Sequence, residues 1–278
     1  MKKINVKKLF DNGITYLVLL TVSFAFCFPV LWLLLASFSK TGSIYSFDGF
    51  FPAEYSLDSF RRLFNDTVMY NYPKWFSNTL LIAVFSCLFG TILVIMTAYT
   101  MSRFNFRGRK MLMKITLILG MFPSFMAMTA VYILMTHFNL INQHWGLVLI
   151  YSAGAPLGYL VQKGFFDTIP GSIDEAARID GASGFMIFWK IILPLSAPII
   201  VYTSLTLFAW PWSDFILPRL LLKDRDLYTV AVGLMSLGDD EFSRFSAGAM
   251  FIAVPIIILY FGLSKFLISG LASGAVKE

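Results

Sequence analysis

The stretch "IPGSIDEAARIDGASGFMIFWKIILP" (residues 169–194) is polar at its start, apolar at its end, and set between two long apolar runs. Pro170-Gly171 breaks the chain. Ser172 stands three residues before Glu175, the spacing of a capping box. Asp174 and Glu175 sit where the positive end of a helix dipole favours carboxylates. Ala176 and Ala177 carry little bulk, and Gly181 is placed to close the helix. The spacing predicts a helix of about two turns, too short to be stable alone in water. Ser183 is placed to cap a second helix, on which Phe185, Phe188 and Trp189 form an apolar side. Such a helix-turn-helix either fits a groove on another protein or rests its aromatic side on a membrane interface.

Working outward, the chain has 278 residues, of which 58% are hydrophobic and only 14% charged. A soluble domain carries about a quarter charged residues. The apolar residues gather in runs near the ~20 residues of a membrane-spanning helix. Six are read: Ile14–Phe38, Thr79–Met101, Ile115–Met135, Trp145–Phe166, Ala197–Leu217 and Ala247–Leu267. The fourth carries Gly154, Pro156 and Gly158 and is expected to bend, which a helix bundle tolerates. The first follows Lys2, Lys3, Lys7 and Lys8. It exceeds the ~7–15 apolar residues of a signal peptide and is read as a signal-anchor.

Basic residues in short loops mark the cytoplasmic side. The N-terminal lysines and Arg103, Arg107, Arg109, Lys110 and Lys114 put both of those segments inside. Alternation then puts 39–77 and 219–246 outside, 167–196 inside, and both termini in the cytoplasm. The charges that give the net +6 flank membrane runs. That excludes nucleic acid as a partner and favours anionic lipid head groups. Cys27 and Cys87 fall within spans, and His137 and His144 lack acidic or thiol neighbours, so no metal site is expected. The chain contains no Gly-Lys dipeptide, which a phosphate-cradling loop requires. Neither a catalytic triad nor a ligand cluster appears, so the chain is read as non-catalytic.

The helix-turn-helix resembles the EAA loop of membrane subunits of bacterial ABC importers. Glu175-Ala176-Ala177 is followed after three residues by Gly181, and after nine more by Ile191-Ile192-Leu193-Pro194. The segments "AYTMSRFNFRGRK" (98–110), "GLVLIY" (146–151), "LLLKDRDLYTVAVGL" (220–234) and "SGLASGAVKE" (269–278) resemble the carbohydrate branch. They are most similar to the shorter permease subunit of maltose/maltodextrin-type systems. "WPWSDFILP" (210–218) is similar to a Trp-Asn-acid-Phe-x-x-Pro pattern of that branch, with Ser213 where Asn is frequent.

The resemblance implies an all-α, six-span, type I importer permease fold in a bacterial cell membrane. It implies three parts: an anchor span and first external loop at 1–74, a permease core at 75–270, and a cytoplasmic tail at 271–278. Glu175, Ala176, Ala177, Gly181, Ile191, Leu193 and Pro194 would couple the chain to an ATPase. No cofactor would be bound by this chain, since ATP and Mg belong to that partner. The implied partners are a second permease, two ATPase copies, and an external binding protein that meets loop 219–246. A maltose/maltodextrin-like oligosaccharide is the implied cargo, with another solute, a different oligosaccharide or a glycerol-phosphate, as the alternative.

Tyr202, Ser204, Trp210, Trp212 and Asp214 are candidates for the substrate path, because aromatic faces and hydroxyl or carboxylate groups bind sugars. An aromatic belt at the outer interface fits the two tryptophans equally. Pro211 is expected to bend the fifth span. Two rivals belong to other classes. A secondary transporter would place ionisable groups at mid-membrane and show inverted repeats, and a sensor or scaffold would bind its partner without nucleotide.

Overall fold

Long apolar runs with every backbone group paired internally must be helical in lipid, and a computed structural model describing residues 6–43, 49, 51–153 and 156–275 is built that way. In chain order the helices are α1 (Val6–Ser37), α2 (Asp58–Asn65), α3 (Tyr72–Arg103), α4 (Arg109–Gly120), α5 (Ser124–His137), α6 (His144–Ser152) and α7 (Pro156–Thr168). Then follow α8 (Gly171–Ile179), α9 (Gly184–Ile187), α10 (Leu193–Leu195), α11 (Ala197–Ser213), α12 (Ile216–Leu221), α13 (Val230–Met235) and α14 (Phe242–Ala275). The one β-type pairing among the described residues is an isolated bridge between Ser39 and Tyr55.

Among the described residues, three stretches are long and apolar enough to span a membrane as single helices: Asn12–Ser37, Tyr72–Arg103 and Asp239–Phe266. The expected third span is not one straight helix. It breaks between α4 and α5 with a 106° bend. Pro123 explains the break, since it offers no N–H and biases the residue before it away from helix. The expected fifth span is preceded by the helical run Gly184–Leu195, bent from α11 by 77°. It ends at Ser213, two residues past Pro211. The expected fourth span falls on α6 and α7. Gly154, one of its predicted bend residues, lies outside the described residues.

The residues divide into two compact units, Met1–Tyr70 with Ser236–Phe251, and Asn71–Met235 with Ile252–Glu278. In the first unit, α1 is apolar on all sides and its described residues from 12 to 31 are exposed. The start of α14 is tied to α2 by Arg244, only 1% exposed. Its guanidinium donates to Asp66 Oδ2 at 3.0 Å and to Arg62 O at 2.8 Å, and lies 4.9 Å from the Tyr70 ring centroid. Arg62 in turn pairs with Glu241 at 3.1 Å. The hydrogen bond from Arg244 holds the Asp66 carboxyl below its ordinary range.

In the second unit α3 is central. Asn71 Oδ1 accepts from Lys74 N at 3.2 Å, and Pro73 enters the first turn where its missing N–H costs nothing. Thr79, Ala83, Ser86, Gly90, Val94 and Ala98 are buried along one side. Small residues let helices approach closely in a membrane. At Gly90 a Cβ would sit 2.9 Å from Leu207 Cδ1 of α11 and 3.4 Å from the Cα of Ser152 of α6. The first turns of α3 also hold the segment after α12. Trp75 Nε1 donates to Arg225 O at 2.9 Å, and Asn78 Nδ2 donates to Asp226 O at 2.7 Å and Tyr228 O at 3.0 Å. Thr79 Oγ1 accepts from Val230 N at 2.8 Å. Asn142, in the left-handed region at φ 60°, clasps the same segment from the other side. Its Oδ1 accepts from Lys223 N at 2.8 Å, and its Nδ2 donates to Asp224 Oδ2 at 2.7 Å.

Two outcomes follow from these packings. A Cβ at Gly233 would lie 2.0 Å from the Trp75 ring, so Gly233→Ala is expected to lower the melting temperature in detergent, at a cost of about 1–3 kcal/mol. For Asp66, the folded carboxyl titrates below the unfolded one. Its stabilising effect is therefore complete above the ordinary value of 3.8 and is lost as pH falls through the lower folded value. Melting temperature measured against pH should fall on that acid limb in the native chain and flatten in Asp66→Asn.

Candidate functional site

α8 begins at Gly171 with Pro170 at the N-cap and no side-chain cap bond. The expected capping box is not formed. Ser172 lies inside the helix rather than at its cap, because the helical turn starts directly after the proline, whose fixed φ suits helix entry. The C-terminal reading agrees with the structure. Gly181 has φ +85°, Ala182 N bonds Ala177 O at 2.9 Å and Gly181 N bonds Arg178 O at 3.0 Å. That pair of bonds is a Schellman motif. Ser183 then caps α9, its Oγ accepting from Met186 N at 3.3 Å.

The two alanines face different ways. Ala177 is buried with Val94, Ala98, Phe166, Ile187 and Ile192, whereas Glu175 and Ala176 are exposed. Ile191 and Leu193 pack against the same cluster, and Pro194 is exposed. Before Pro194 the helix widens into a π-turn at Phe188–Ile192, with Leu193 N reaching Phe188 O, a form that accommodates a local helix irregularity. The expected apolar side of the second helix is divided. Phe188 packs on Tyr99 with ring centroids 4.6 Å apart. Phe185 and Trp189 are exposed and stacked on each other at 6.3 Å.

A polar cluster that the sequence reading missed lies between α8 and the end of α3. Arg103 Nε is 3.1 Å from Asp174 Oδ2, with each side chain 15% exposed. Its Nη2 donates to Ile169 O at 3.0 Å. Ser102 Oγ donates to Asp167 Oδ1 at 2.6 Å, and Lys163 pairs with the same carboxylate. In the sequence Arg103 reads only as one more basic loop residue. The available signal was its place two residues after the end of an apolar run, nearer the span than Arg107 and Arg109.

The five path candidates separate. Tyr202 and Trp210 are more than half exposed. With Thr206, Ser213 and Tyr260 they line an open groove of about 440 Å3. Tyr260 of the last span was missed, since a lone tyrosine in an apolar run carries no pattern. Ser204 Oγ instead donates to Ile200 O at 2.9 Å and lies 3.2 Å from the Thr91 hydroxyl. Trp212 is 1% exposed and packs edge-on to Phe76 at 5.0 Å. Asp214 Oδ2 accepts from the Tyr151 hydroxyl at 2.9 Å, and Oδ1 accepts from Leu217 N at 3.3 Å at the start of α12.

The described residues are almost entirely helical, with several helices long and apolar enough to cross a membrane. Residues 90–273 match the family of the binding-protein-dependent transport system inner membrane component, and the chain belongs to it. It is 37% identical over 279 residues to the maltodextrin transport system permease protein MalD of Streptococcus pneumoniae, covering 99% of this chain and 98% of that one. It is 38% identical over 268 residues to the maltodextrin permease protein MdxG of Bacillus subtilis, covering 95% of each. It is 36% identical to the galactooligosaccharides permease protein GanQ of the same organism, over 95% of this chain and 94% of that one. A crystal structure of a bacterial ABC transporter that imports alginate superposes with TM-score 0.75 at 21% identity, covering 95% of this chain and 99% of that chain. The fold is therefore that of an ABC importer permease, and the chain is a non-catalytic membrane subunit.

A Cβ at Gly181 meets nothing within 4 Å, so its left-handed backbone alone sets the cost of substitution. Gly181→Ala should destabilise the turn by about 1–2 kcal/mol, and Gly181→Asn by less, because Asn tolerates this conformation. Hydrogen–deuterium exchange of the amides at 176–182 should accelerate in the order Gly, Asn, Ala.

Proposed function

We propose that this chain is one of two permease subunits of an importer for maltodextrin-like oligosaccharides, and that α8 is the helix through which a cytoplasmic ATPase drives it. The observation that carries the reading is the shape of α8. Its inner side is packed through Ala177, its end is closed by the Gly181 turn, and Glu175 and Ala176 of the same motif are left open. A helix of nine residues has no stability of its own to spare. Held from behind, it presents a fixed outer side to a groove in a partner.

In this reading the chain crosses a bacterial cell membrane six times, with both termini and segment 167–196 in the cytoplasm. α4 with α5, and α6 with α7, each form one bent span. Two ATPase copies bind below, where ATP and Mg reside. Each ATPase state differs in its contacts to α8, and that difference shifts the permease between inward- and outward-open forms. An external binding protein delivers sugar at segment 219–246, whose backbone is held by Trp75, Asn78 and Asn142 while Lys223, Asp224, Arg225 and Asp226 stay exposed. Anionic lipid contacts Arg107, Lys110 and Lys114. The oligosaccharide class is supported by the relatives, which transport maltodextrins or galactooligosaccharides by name. Tyr202, Trp210 and Tyr260 offer the aromatic faces that a sugar stacks on.

Co-purification of the ATPase from cells expressing the whole transporter tests the coupling role. At equal membrane abundance, Glu175→Lys and Gly181→Asp should lose the ATPase. An ATPase that stays bound, with transport intact, would leave α8 a structural loop only. For the cargo, labelled maltodextrin uptake into proteoliposomes carrying the binding protein should fall at least about tenfold in Trp210→Ala, the loss of a ~1.4 kcal/mol contact. Uptake of another solute by the native complex, with no maltodextrin uptake, would overturn the substrate class.

A further inference from the structure

The last turns of α3 touch α7, the turn after it, α8 and the start of the π-turn. Tyr99 packs on Phe188 at 4.6 Å and edge-on to Phe166 at 6.2 Å. Ser102 reaches Asp167, and Arg103 reaches both Ile169 O and Asp174. These contacts differ in kind. Aromatic pairs prefer certain arrangements, yet each such contact is weak and tolerates small sliding. An ion pair with both side chains 15% exposed cannot separate without leaving two poorly solvated charges.

We infer that Arg103 is the positioning residue that carries movement of α8 into α3, acting through its ion pair with Asp174. The inference rests on α8 being the ATPase-coupling helix. Among the described residues, Asp174 is the charge of α8 that pairs with another helix. Glu175, Arg178 and Asp180 of the same short segment are exposed. The pair is not built as a fully satisfied stabilising contact, because Asp174 Oδ1 is buried without a hydrogen-bond partner. A buried pair of this kind adds little net stability. What it does fix is the distance between the two helices, and the second Arg103 donor on Ile169 O fixes the angle at which α8 leaves its preceding turn. From Arg103, α3 runs 32 residues through the bundle to the turns that hold segment 225–230. A shift of α8 is thus passed along one continuous helix to the opposite end of the unit.

The test uses the whole transporter in proteoliposomes with its ATPase and binding protein, and compares Arg103→Gln, Asp174→Asn and the double variant. Membrane abundance, ATPase co-purification and the ratio of sugar imported to ATP hydrolysed are measured for each. The ATPase should remain bound while the ratio falls about tenfold in each single variant, within the usual range of coupling between sites. The double variant should lose no more than the worse single, since the two residues act as one unit. Arg103→Lys, which keeps the charge, should recover part of the ratio. A native ratio in both single variants would overturn the proposal, as would losses that simply add. Loss of the ATPase from Asp174→Asn alone would place Asp174 on the docking surface and also overturn it. If the single variants do not accumulate, the exchanged pair Arg103→Glu with Asp174→Lys decides. Coupled import supports the pair, and stable protein with uncoupled hydrolysis refutes it. Failure of the underlying reading is seen separately, as Glu175→Lys that keeps both ATPase and transport.

Discussion

The second unit depends on how closely α6 and α11 approach α3. Lipid supplies no hydrophobic force between apolar helices, so association relies on packing and on hydrogen bonds across the interface. The buried stripe of Thr79, Ala83, Ser86, Gly90, Val94 and Ala98 provides the first of these. Hydroxyl contacts such as Thr91 to Ser204, and Thr203 to Gln162 at 2.9 Å, provide the second. Neither would be available with a larger residue at Gly90, where Leu207 already stands at contact distance. Because α3 is one continuous helix of 32 residues, it organises three levels. Its first turns hold segment 225–230, its middle holds the bundle, and its last turn holds α8.

Much of this was legible in the sequence because it rests on periodicity and on fixed spacing. Helical apolar runs, the Gly181 turn and the Ser183 cap can each be read from a few adjacent residues, and the structure has them. The capping box at Ser172–Glu175 was also a local reading, yet it failed. Pro170 offers an equally good helix start two residues earlier, and local spacing cannot rank two competing starts. The break at Pro123 has the same origin in reverse. A proline within a membrane run can be absorbed by neighbours or can end the helix, and that choice is made by packing. Residues 197–217 show a third limit. Five polar or aromatic side chains on one run looked alike in the sequence. In the fold Trp212 is core, Ser204 and Asp214 satisfy neighbours, and only Tyr202 and Trp210 open onto the groove.

Charge is where one-dimensional reading was least informative. Counting basic residues in loops treats Arg103 and Arg107 as equals. In the structure Arg107 is exposed, whereas Arg103 is turned inward to Asp174 and Ile169. Arg244 is a second such case, 1% exposed and engaged by Asp66, Arg62 and Tyr70. Both arginines sit at the end of a long helix, donate to a main-chain carbonyl and form an ion pair with a carboxylate. Arginine suits that task because its planar fork can serve two acceptors at once and stays charged when buried. Lysine in either place would keep the charge and lose the second bond.

The division of labour within α8 follows from its length. A helix of nine residues can bury one side or offer one side, and it cannot be stable if it only offers. The buried side is supplied by Ile173 and Ala177 against the cluster around Phe166, Ile187 and Ile192. The end is fixed by two backbone bonds at the Gly181 turn, which need no side chain. That leaves Glu175, Ala176 and Ile179 without structural duty, and all three are exposed. A large apolar side chain such as Ile179, 87% exposed on a short polar helix, contributes nothing to folding where it stands. Under the proposed coupling role a partner surface would cover it, together with the stacked pair Phe185 and Trp189 on the neighbouring helix. The segment is thus built from the inside outward, with its backbone turn and buried side chains spent on holding still what the exposed side chains present.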